Sequence, residues 1–385
     1  MAEGETMSNA ADRQPCSVLV DCRLMYYRKA GISHYARRLV CALAELQGPD
    51  FALRVLLDRR DRDAGWVPAG VGIVRAVTPA HHRYEHWVLP VELAGRGLTR
   101  SPHLVLHSPD FIACRGRFRK VITIHDLYFM EHPEVMSADG MRYYGRIRRS
   151  AAIADRIIAV SHATRQDILR LLPEAAPEKV IVIHEAADRE ADDERQVVSA
   201  SRAPCHEPFI LFVGTLEPRK NLITLLRAMA RLPGAVRLVI VGAVGWRDEA
   251  LGDLARELGV VERVTFAGRL SDEALDALYR RARLLVMPSL GEGFGLPVLE
   301  AMSRGTPVVC SSAGALPEVA ADAALLHEPM DDATLARHIY ALWTDDRLHA
   351  EYVRRSLARA RQFSWARAAR ETLAVYRAAL GSPAG

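Results

Sequence analysis

The sequence predicts an α/β protein made of two consecutive doubly wound domains with parallel sheets. Its 385 residues exceed the usual size of a single domain. Short apolar runs rich in β-branched residues alternate with segments of helical periodicity, which is typical of parallel βαβ units. The charged and then small-residue stretch 188–207 interrupts this alternation and therefore indicates a linker.

The domain boundaries follow from this interruption. We predict a disordered leader over 1–15, an N-terminal domain over 16–187, the linker over 188–207 and a C-terminal domain over 208–365. A helix over 366–385 is expected to pack back on the N-terminal domain. Ligands of open parallel sheets bind beyond the carboxyl ends of the strands, so the cleft between the domains is the expected site.

In the first domain the pattern predicts seven strands, over 17–22, 53–57, 72–76, 104–107, 121–124, 157–160 and 180–183. Its helices are predicted over 32–46, 139–153 and 162–172. Ser161 is expected to cap the last of these. In the second domain the predicted strands cover 209–214, 236–242, 264–267, 284–288, 307–310 and 324–326. The helices there are expected over 222–231, 248–258, 272–281 and 296–304, before several closing helices from 332 to about 380.

The charge balance argues against a nucleic-acid partner. Lys and Arg total 51 and Asp and Glu total 47, which gives a formal net charge of only +4. A nucleic-acid binder normally carries a concentrated basic stripe. Four of the cations are lysines, and Lys220 is the one lysine after position 179.

Cysteine usage and hydropathy predict a cytoplasmic protein. The six cysteines are scattered without a C-x-x-C pair, which favours a reducing compartment. The first 15 residues lack the pattern of a signal peptide, and no apolar run reaches about 18 residues. The arginine-rich segment 142–149 leaves peripheral contact with the inner face of a membrane open, although such a segment is more commonly a solvated helix face.

Two adjacent cations follow the first strand of the second domain. Arg219 and Lys220 lie in the turn GTLEPRKN, between that strand and a helix. An arginine fork beside a lysine point charge suits a diphosphate. A solvated surface pair is the alternative reading of the same dipeptide.

A glycine-rich turn follows a later strand of the same domain. Gly293 and Gly295 belong to SLGEGFGLPVLE, which leads into a helix whose free N–H groups favour an anion. Glu292 lies in the loop, and Glu300 lies two turns along an otherwise apolar helix. A carboxylate in such surroundings needs a partner, either sugar hydroxyls or a salt bridge.

These segments together resemble the retaining glycosyltransferases of family 4, which have the GT-B fold. The resemblance rests on the E-x7-E element in PSLGEGFGLPVLEAMSRGTPVV, and on GTLEPRKNL, FAGRLSDEAL and ALPEVAADAALLHEP in this order. It is strong from 209 to 329 and looser in the N-terminal domain. It implies that the C-terminal domain binds a nucleotide sugar and the N-terminal domain binds the acceptor.

The resemblance also implies roles for individual residues. Arg219 and Lys220 match the pair that holds the diphosphate, Glu300 the carboxylate that binds the ribose, and Glu292 the one near the donor hexose. The residues expected to bind the donor are Gly31, Gly214, Arg219, Lys220, Arg269, Leu270, Glu292, Gly293, Phe294, Gly295, Leu296 and Glu300. The expected catalytic group is His125, Asp126, Glu292, Arg219 and Lys220, with His125-Asp126 matching the pair near the transferred sugar.

The sequence departs from the family pattern in two places. His184-Glu185-Ala186 stands where an Asn-Gly pair is common, and Ser33 stands where a second glycine is common. The spacing of the fourteen histidines gives no convincing ligand set, so no metal or other cofactor is expected. The segment 81–87 is interpreted as an acceptor-side loop or surface.

The resemblance implies transfer of a hexose from a nucleotide sugar to a hydroxyl, with retention of configuration. GDP-mannose or a related GDP-sugar is favoured over UDP-sugars, and the acceptor is a glycan, a lipid-linked glycan or a small molecule. The alternatives are a UDP-sugar-dependent enzyme, a sugar-nucleotide epimerase or hydrolase, and a non-catalytic binding subunit. A nicotinamide-dependent oxidoreductase is disfavoured because no G-x-G-x-x-G follows the first strand.

Overall fold

The computed structural model describes residues 15–27, 31–100, 103–135, 138–188, 207–243 and 248–381. Two parallel sheets, of seven and six strands, form the centres of two consecutive domains. The predicted leader over 1–15 and the linker over 188–207 lie almost entirely outside the described residues.

The first sheet has the strand order β3-β2-β1-β4-β5-β6-β7. Its strands are β1 (Cys16–Asp21), β2 (Phe51–Asp58), β3 (Gly72–Ala76), β4 (Leu104–Ser108), β5 (Arg119–Ile124), β6 (Arg156–Ala159) and β7 (Val180–Val182). The helices are α1 (Gly31–Ala44), α2 (Glu85–Gly95), α3 (Tyr128–Glu131), α4 (Ala138–Tyr144), α5 (Ile147–Ile153) and α6 (His162–Leu171). The strand order reverses between β1 and β4, so the chain segments that follow these two strands diverge and leave a crevice.

The second sheet has the order β10-β9-β8-β11-β12-β13. Its strands are β8 (Ile210–Val213), β9 (Leu238–Val241), β10 (Val264–Gly268), β11 (Leu284–Met287), β12 (Val308–Ser311) and β13 (Ala324–His327). The helices are α7 (Leu222–Ala230), α8 (Asp248–Glu257), α9 (Asp272–Arg281), α10 (Leu296–Ser303), α11 (Leu316–Ala320), α12 (Asp332–Thr344), α13 (Asp346–Ala360) and α14 (Trp365–Ala379). Here the order reverses between β8 and β11.

The strands have their short apolar sequences because helices cover both faces of each sheet. Val18 and Val20 of β1 are fully buried, as is Leu19 between them, so the strand shows no polar alternation. Leu284 to Met287 of β11 are likewise buried throughout. This packing fixes the strands firmly and places their carboxyl ends at the edge where the two domains meet.

One expectation for the N-terminal domain was wrong, and another was incomplete. The predicted helix over 139–153 is two helices, α4 and α5, separated at Gly145-Arg146, because glycine disfavours the helix interior. The segment 81–87 is not only a loop, since α2 begins at Glu85 and buries Leu89 and Leu93, one turn apart. Pro90 inside α2 lacks an N–H and normally interrupts a helix, which hid this element from the pattern.

The last helix lies against the first domain rather than the second. Tyr376 of α14 and His107 of β4 are hydrogen-bonded, with 2.6 Å between Oη and Nδ1. The ring of Trp365 lies 5.8 Å from that of Tyr35 in α1, centroid to centroid. The chain thus crosses back after the second sheet and joins the two domains a second time.

Candidate active site

The basic pair and the loop carboxylate meet at the point where the second sheet reverses its order. Arg219 and Lys220 form a single 3-10 turn after β8, and Glu292 lies in the turn after β11. Lys220 Nζ donates to Glu292 Oε1 at 2.7 Å, and Arg219 donates to Glu292 Oε2 at 2.9 Å. Ser289 Oγ donates to Oε1 at 2.6 Å. Side-chain exposure is only 9% for Lys220 and 8% for Glu292, so this is a buried ionic group.

The electrostatics of this group keep the carboxyl group of Glu292 ionised. Burial alone would raise the pKa of Glu292, but the charges and hydrogen bonds of Lys220 and Arg219 outweigh burial and lower it to about 2. Arg219 also contacts Glu217, at 2.8 Å, and Glu217 is the more exposed of its two carboxylate partners. The cations are therefore fixed in position, and the exposed Glu217 is the partner an incoming anion can replace at least cost.

Backbone geometry holds the two turns together. Leu290 N donates to Arg219 O at 2.8 Å. Asn221 adopts a left-handed conformation with φ 53°, and its Nδ2 donates to the carbonyls of Pro288 and Pro329. A Cβ on Gly314, which has φ 58°, would lie 2.5 Å from Glu292 O. Neither Asn221 nor Gly314 was singled out in the sequence, although both support the predicted site.

Gly293 brings the two domains into direct contact. A Cβ at this position would lie 1.7 Å from the carbonyl oxygen of His125, so only glycine permits the approach. Ser161 Oγ and Thr164 Oγ1 donate to Gly293 O at 2.6 and 3.0 Å. Ser161 also caps α6, by accepting from Thr164 N at 2.9 Å. The structure thereby places the His125 loop of the first domain beside the Glu292 loop of the second.

Other contacts join the same two loops. The Arg219 guanidinium lies 5.8 Å from the ring centroid of Tyr128, two residues beyond Asp126. The charge of Asp126 contributes to the raised pKa of Arg219. A Cβ on Gly291 would lie 3.0 Å from Tyr128. All five predicted catalytic residues therefore lie at one junction between the domains.

The ring of His125 is held by Glu185. In the sequence, Glu185 was noted only as part of a segment that departs from the family pattern. The Nε2 atom of His125 lies 2.8 Å from Pro109 O, and its Nδ1 lies 2.9 Å from Glu185 Oε1. Because a carbonyl and a carboxylate both accept, this arrangement favours the imidazolium form of the ring, in which both nitrogens donate. Burial lowers the pKa of His125, but Glu185 outweighs it, and the net pKa is raised. In that form both N–H groups of His125 are engaged by the protein.

Glu300 has a protein partner on one oxygen. Tyr279 Oη donates to Glu300 Oε2 at 2.7 Å, so the expectation of a salt bridge or sugar hydroxyls alone was incomplete. Burial raises the pKa of Glu300, with Tyr279 and Arg304 opposing. Among the described residues no hydrogen-bond donor reaches Oε1, so one lone-pair face remains for a ligand.

The remaining predicted donor residues occupy several positions. Gly214 follows β8 and packs on Lys220, whose Cε would lie 3.4 Å from an added Cβ. Phe294 is buried, Gly295 has φ 96° as the N-cap of α10, and Leu296 begins that helix. Arg269 and Leu270 follow the edge strand β10, two strands from β8, so they lie apart from the ionic group.

Gly31 begins α1 in the first domain. A Cβ there would meet no described protein atom within 4 Å. Gly31 does not have a positive φ, and a side chain there would not clash with the described residues. The fold of the described residues therefore does not explain why this position is a glycine.

One group of metal-capable side chains spans the domains within the described part of the chain. His162, His184 and Glu318 present ligand atoms within 4.8 Å of one another. Glu318 already accepts from the N–H groups of His162 and Ala163, and it lies 2.6 Å from His184 Nε2. Its carboxylate therefore caps α6 across the domain boundary. Sequence spacing could not reveal this contact, because its members are far apart in the chain.

Fold and site together define a two-domain glycosyltransferase of the GT-B type. The model of glycosyl transferases group 1 matches residues 193–359, and that of Glycosyltransferase Family 4 matches residues 30–191. The chain belongs to glycosyltransferase family 4, as the sequence resemblance indicated.

Similar proteins agree with this assignment. The chain is 35% identical to the O-antigen chain mannosyltransferase B of Escherichia coli over 71% of this chain and 74% of that protein. It is also 35% identical to the D-inositol 3-phosphate glycosyltransferase of Mycolicibacterium smegmatis, over 59% of this chain and only about half (54%) of that protein.

Solved structures show the same fold. Sucrose-phosphate synthase from Thermosynechococcus elongatus superposes with a TM-score of 0.75, at 22% identity, over 96% of this chain and all of that one. Anabaena HepE in complex with UDP and glucose gives 0.66, at 19% identity, over 93% and 98%. Among the described residues, no helix combines the length and apolar character that a membrane span requires.

Proposed function

We propose that the enzyme transfers a hexose from a GDP-sugar, preferably GDP-mannose, to a hydroxyl of a glycan, a lipid-linked glycan or a small molecule, with retention of configuration. The observation that carries this proposal is the buried ionic group of Arg219, Lys220 and Glu292. His125 of the other domain lies beside this group, because its carbonyl oxygen packs against Gly293. The mannosyltransferase relative supports the choice of donor.

The chemistry follows from the charges. Departure of the nucleoside diphosphate places negative charge on its phosphates, and Arg219 and Lys220 are already fixed where they can stabilise it. In our proposal the diphosphate replaces Glu217 at Arg219, while Glu292 stays with Lys220 and faces the hexose. These two cations supply the charge that a metal ion would otherwise provide. The acceptor hydroxyl attacks from the face that the phosphate leaves: its oxygen bonds to the sugar carbon as the bond from that carbon to the diphosphate breaks, and its proton passes to the departing diphosphate.

The other donor residues fit the same arrangement. Glu300 would accept from the ribose hydroxyls through Oε1, and the turn at Arg269 and Leu270 would contact the base. The N-terminus of α10 would face the phosphates with its free N–H groups. Closure of the domains through Gly293 and Glu318 would exclude water and limit hydrolysis of the donor.

A UDP-sugar donor is the second candidate, because Anabaena HepE was solved with UDP and glucose on the same fold. Thermal unfolding with GDP, UDP, ADP and TDP separates the two candidates. We expect GDP to raise Tm most. A larger shift with UDP would overturn the GDP assignment, and no shift with any nucleotide would contradict the use of a nucleotide sugar. Donor consumption without acceptor would favour an epimerase or a hydrolase.

Gly31→Ala tests whether the donor approaches the start of α1. We expect an unchanged Tm, since alanine favours a helix and the added Cβ meets open space. The KM for the donor should rise about tenfold, because the added Cβ would push the donor away from the start of α1. This displacement would cost about one hydrogen bond to a charged group. Gly234→Ala is the matched control, because a Cβ there also meets open space. Equal donor KM values for both variants would contradict the predicted role.

The contact between His125 and Glu185 predicts that kcat/KM depends on pH. Because the pKa of His125 is raised, its imidazolium persists below that value and is lost as the pH rises through it. Glu185→Gln removes the negative charge, so the alkaline limb of kcat/KM should move to lower pH. Glu178→Gln, on the exposed surface, is the control. A limb that stays in place in Glu185→Gln would show that His125 does not govern it.

A further inference from the structure

Three metal-capable side chains meet where the two domains touch. His162 begins α6 and His184 follows β7 in the first domain, whereas Glu318 belongs to α11 in the second. Their ligand atoms all lie within 4.8 Å of one another. Within the described part of the chain, no other set of three histidine, cysteine, aspartate or glutamate side chains is placed to share a metal ion. The group is distinct from the basic pair and Glu292 of the proposed reaction centre.

The donor set is one that zinc uses. Zinc sites combine histidine nitrogens with carboxylate oxygens, and a site with three protein ligands takes a water molecule as its fourth. Magnesium and calcium prefer oxygen ligands, whereas imidazole suits zinc and related transition metals. Two imidazoles and one carboxylate therefore point to Zn²⁺ rather than to the magnesium ion that commonly accompanies phosphates.

The distances suit a tetrahedral ion after small side-chain movements. His184 Nε2 lies 2.6 Å from Glu318 Oε1. With zinc bonds of about 2.0–2.1 Å, tetrahedral ligand atoms lie about 3.3 Å apart, so this pair must open slightly. Since no pair of ligand atoms exceeds 4.8 Å, none has to close by more than about 1.5 Å. Zinc would replace the proton that His184 and Glu318 share, and this proton would pass to water.

The carboxylate of Glu318 is held in place and retains room for a ligand. Its oxygens accept from the N–H groups of His162 and Ala163, at 2.9 and 3.2 Å. A carboxylate offers about four lone-pair sites, so these two bonds leave capacity for a metal ion. Arg359 donates to the main-chain carbonyl of Glu318 at 2.6 Å, which fixes the backbone without occupying the carboxylate. Such supporting hydrogen bonds are typical of metal ligands.

Capping of α6 does not account for the two imidazoles. The cap uses the carboxylate of Glu318 and backbone N–H groups, whereas His162 is exposed. Among the described residues, no hydrogen bond reaches the ring nitrogens of His162. Its ring centroid lies 5.9 Å from that of His184, and the ring of His184 also packs against Phe294 and Phe363. The group is thus open to solvent at His162, where an ion and its water ligand can enter.

We propose that His162, His184 and Glu318 form a zinc site that locks the two domains in contact. Two ligands belong to the first domain and one to the second, so a single bound ion joins the domains. Exchange of donor and product requires the domains to separate, so bound zinc should slow turnover. The binding of zinc stands apart from the proposed function, and only this effect on turnover rests on it.

Calorimetric titration of the whole protein with ZnCl₂, after treatment with a chelator, tests the binding of zinc. We expect one zinc ion per chain and no comparable binding of MgCl₂. His162→Ala should weaken zinc binding by at least about 10–100-fold, the loss caused even by removing a residue that only orients a ligand. This variant keeps the N–H group that donates to Glu318, and alanine favours a helix, so Tm without metal should not change.

His132→Ala is the matched control. His132 is also an exposed histidine beside a carboxylate, since its Nδ1 lies 3.1 Å from Glu134 Oε1, but the described residues supply no third ligand there. We expect zinc binding as in the wild type. No zinc binding by the wild type, or equal affinities in the wild type and His162→Ala, would overturn the inference and leave the proposed transferase function intact.

Gly293→Ala tests whether zinc bridges the domains. Its Cβ would lie 1.7 Å from His125 O and push the domains apart, while all three ligands remain in the chain. We expect weaker zinc binding in Gly293→Ala and unchanged binding in Gly234→Ala, whose Cβ meets open space. Equal zinc affinities in the two variants would contradict a bridge between the domains.

The effect on turnover is measured as transfer from GDP-mannose with and without ZnCl₂. We expect zinc to lower kcat of the wild type, with recovery after EDTA, and to leave kcat of His162→Ala unchanged at the same concentration. Equal inhibition of both proteins, or zinc binding without any loss of kcat, would overturn the lock. Absence of transfer in the zinc-free wild type would count against the proposed function alone.

Discussion

Replacing Lys220 with methionine is expected to lower kcat by about 10²–10³-fold, the range for removing one preorganised donor to a developing negative charge. Lys220 is 9% exposed and fixed on Glu292 at 2.7 Å, so no water can readily take its place beside the leaving diphosphate. The measurement is steady-state transfer from GDP-mannose. Lys179→Met, at a half-exposed position outside the site, is the matched control.

A structural contribution of Lys220 can be separated from a functional one. Glu292 keeps Arg219 and Ser289 as partners when Lys220 is lost. Its buried negative charge is then less well balanced, so Tm should fall. Adding Glu292→Gln to Lys220→Met should recover Tm without recovering kcat. Recovery of both would show that the lysine serves the fold alone. A kcat within twofold of wild type in Lys220→Met would contradict its role at the diphosphate.

Gly293→Ala is expected to lower kcat by about 10²-fold, since a shift of about 1 Å in catalytic geometry costs this much. The added Cβ would lie 1.7 Å from His125 O, so the two domains must move apart. The ionic group of Arg219, Lys220 and Glu292 lies within the second domain and stays intact. Stabilisation by GDP should therefore persist while transfer is lost.

Gly234→Ala serves again as the control, because its Cβ meets open space. Thermal unfolding with GDP and transfer rates are measured on both variants. Transfer at the wild-type rate in Gly293→Ala would show that the domains need not approach as closely as this contact requires. Loss of the GDP effect would instead indicate damage to the second domain.

The sequence could predict the parts of the site that depend on local order along the chain. Arg219, Lys220 and Glu292 each follow a buried parallel strand, and strands of one sheet present their carboxyl ends at one edge. Short apolar runs likewise predicted, to within a few residues, the thirteen strands that the described part of the chain contains. The glycine-rich turn before α10 was also recognisable, because it directly follows a buried strand in the sequence.

The contacts between distant segments could not be predicted in this way. Glu185 reaches His125 across 60 residues, and Glu318 caps α6 from the other domain. Both are acidic residues at the ends of short elements, where a solvated surface charge is the common expectation. The helix α2 was hidden by Pro90, and with it the buried ion pair of Glu85 with Arg23.

The most direct test of the whole account is proton NMR of the product formed from GDP-mannose and methyl α-mannoside. We predict a new α-glycosidic linkage, with one GDP released for each linkage formed. A β-linkage would contradict retention of configuration. Release of GDP with free mannose and no new linkage would contradict transfer itself.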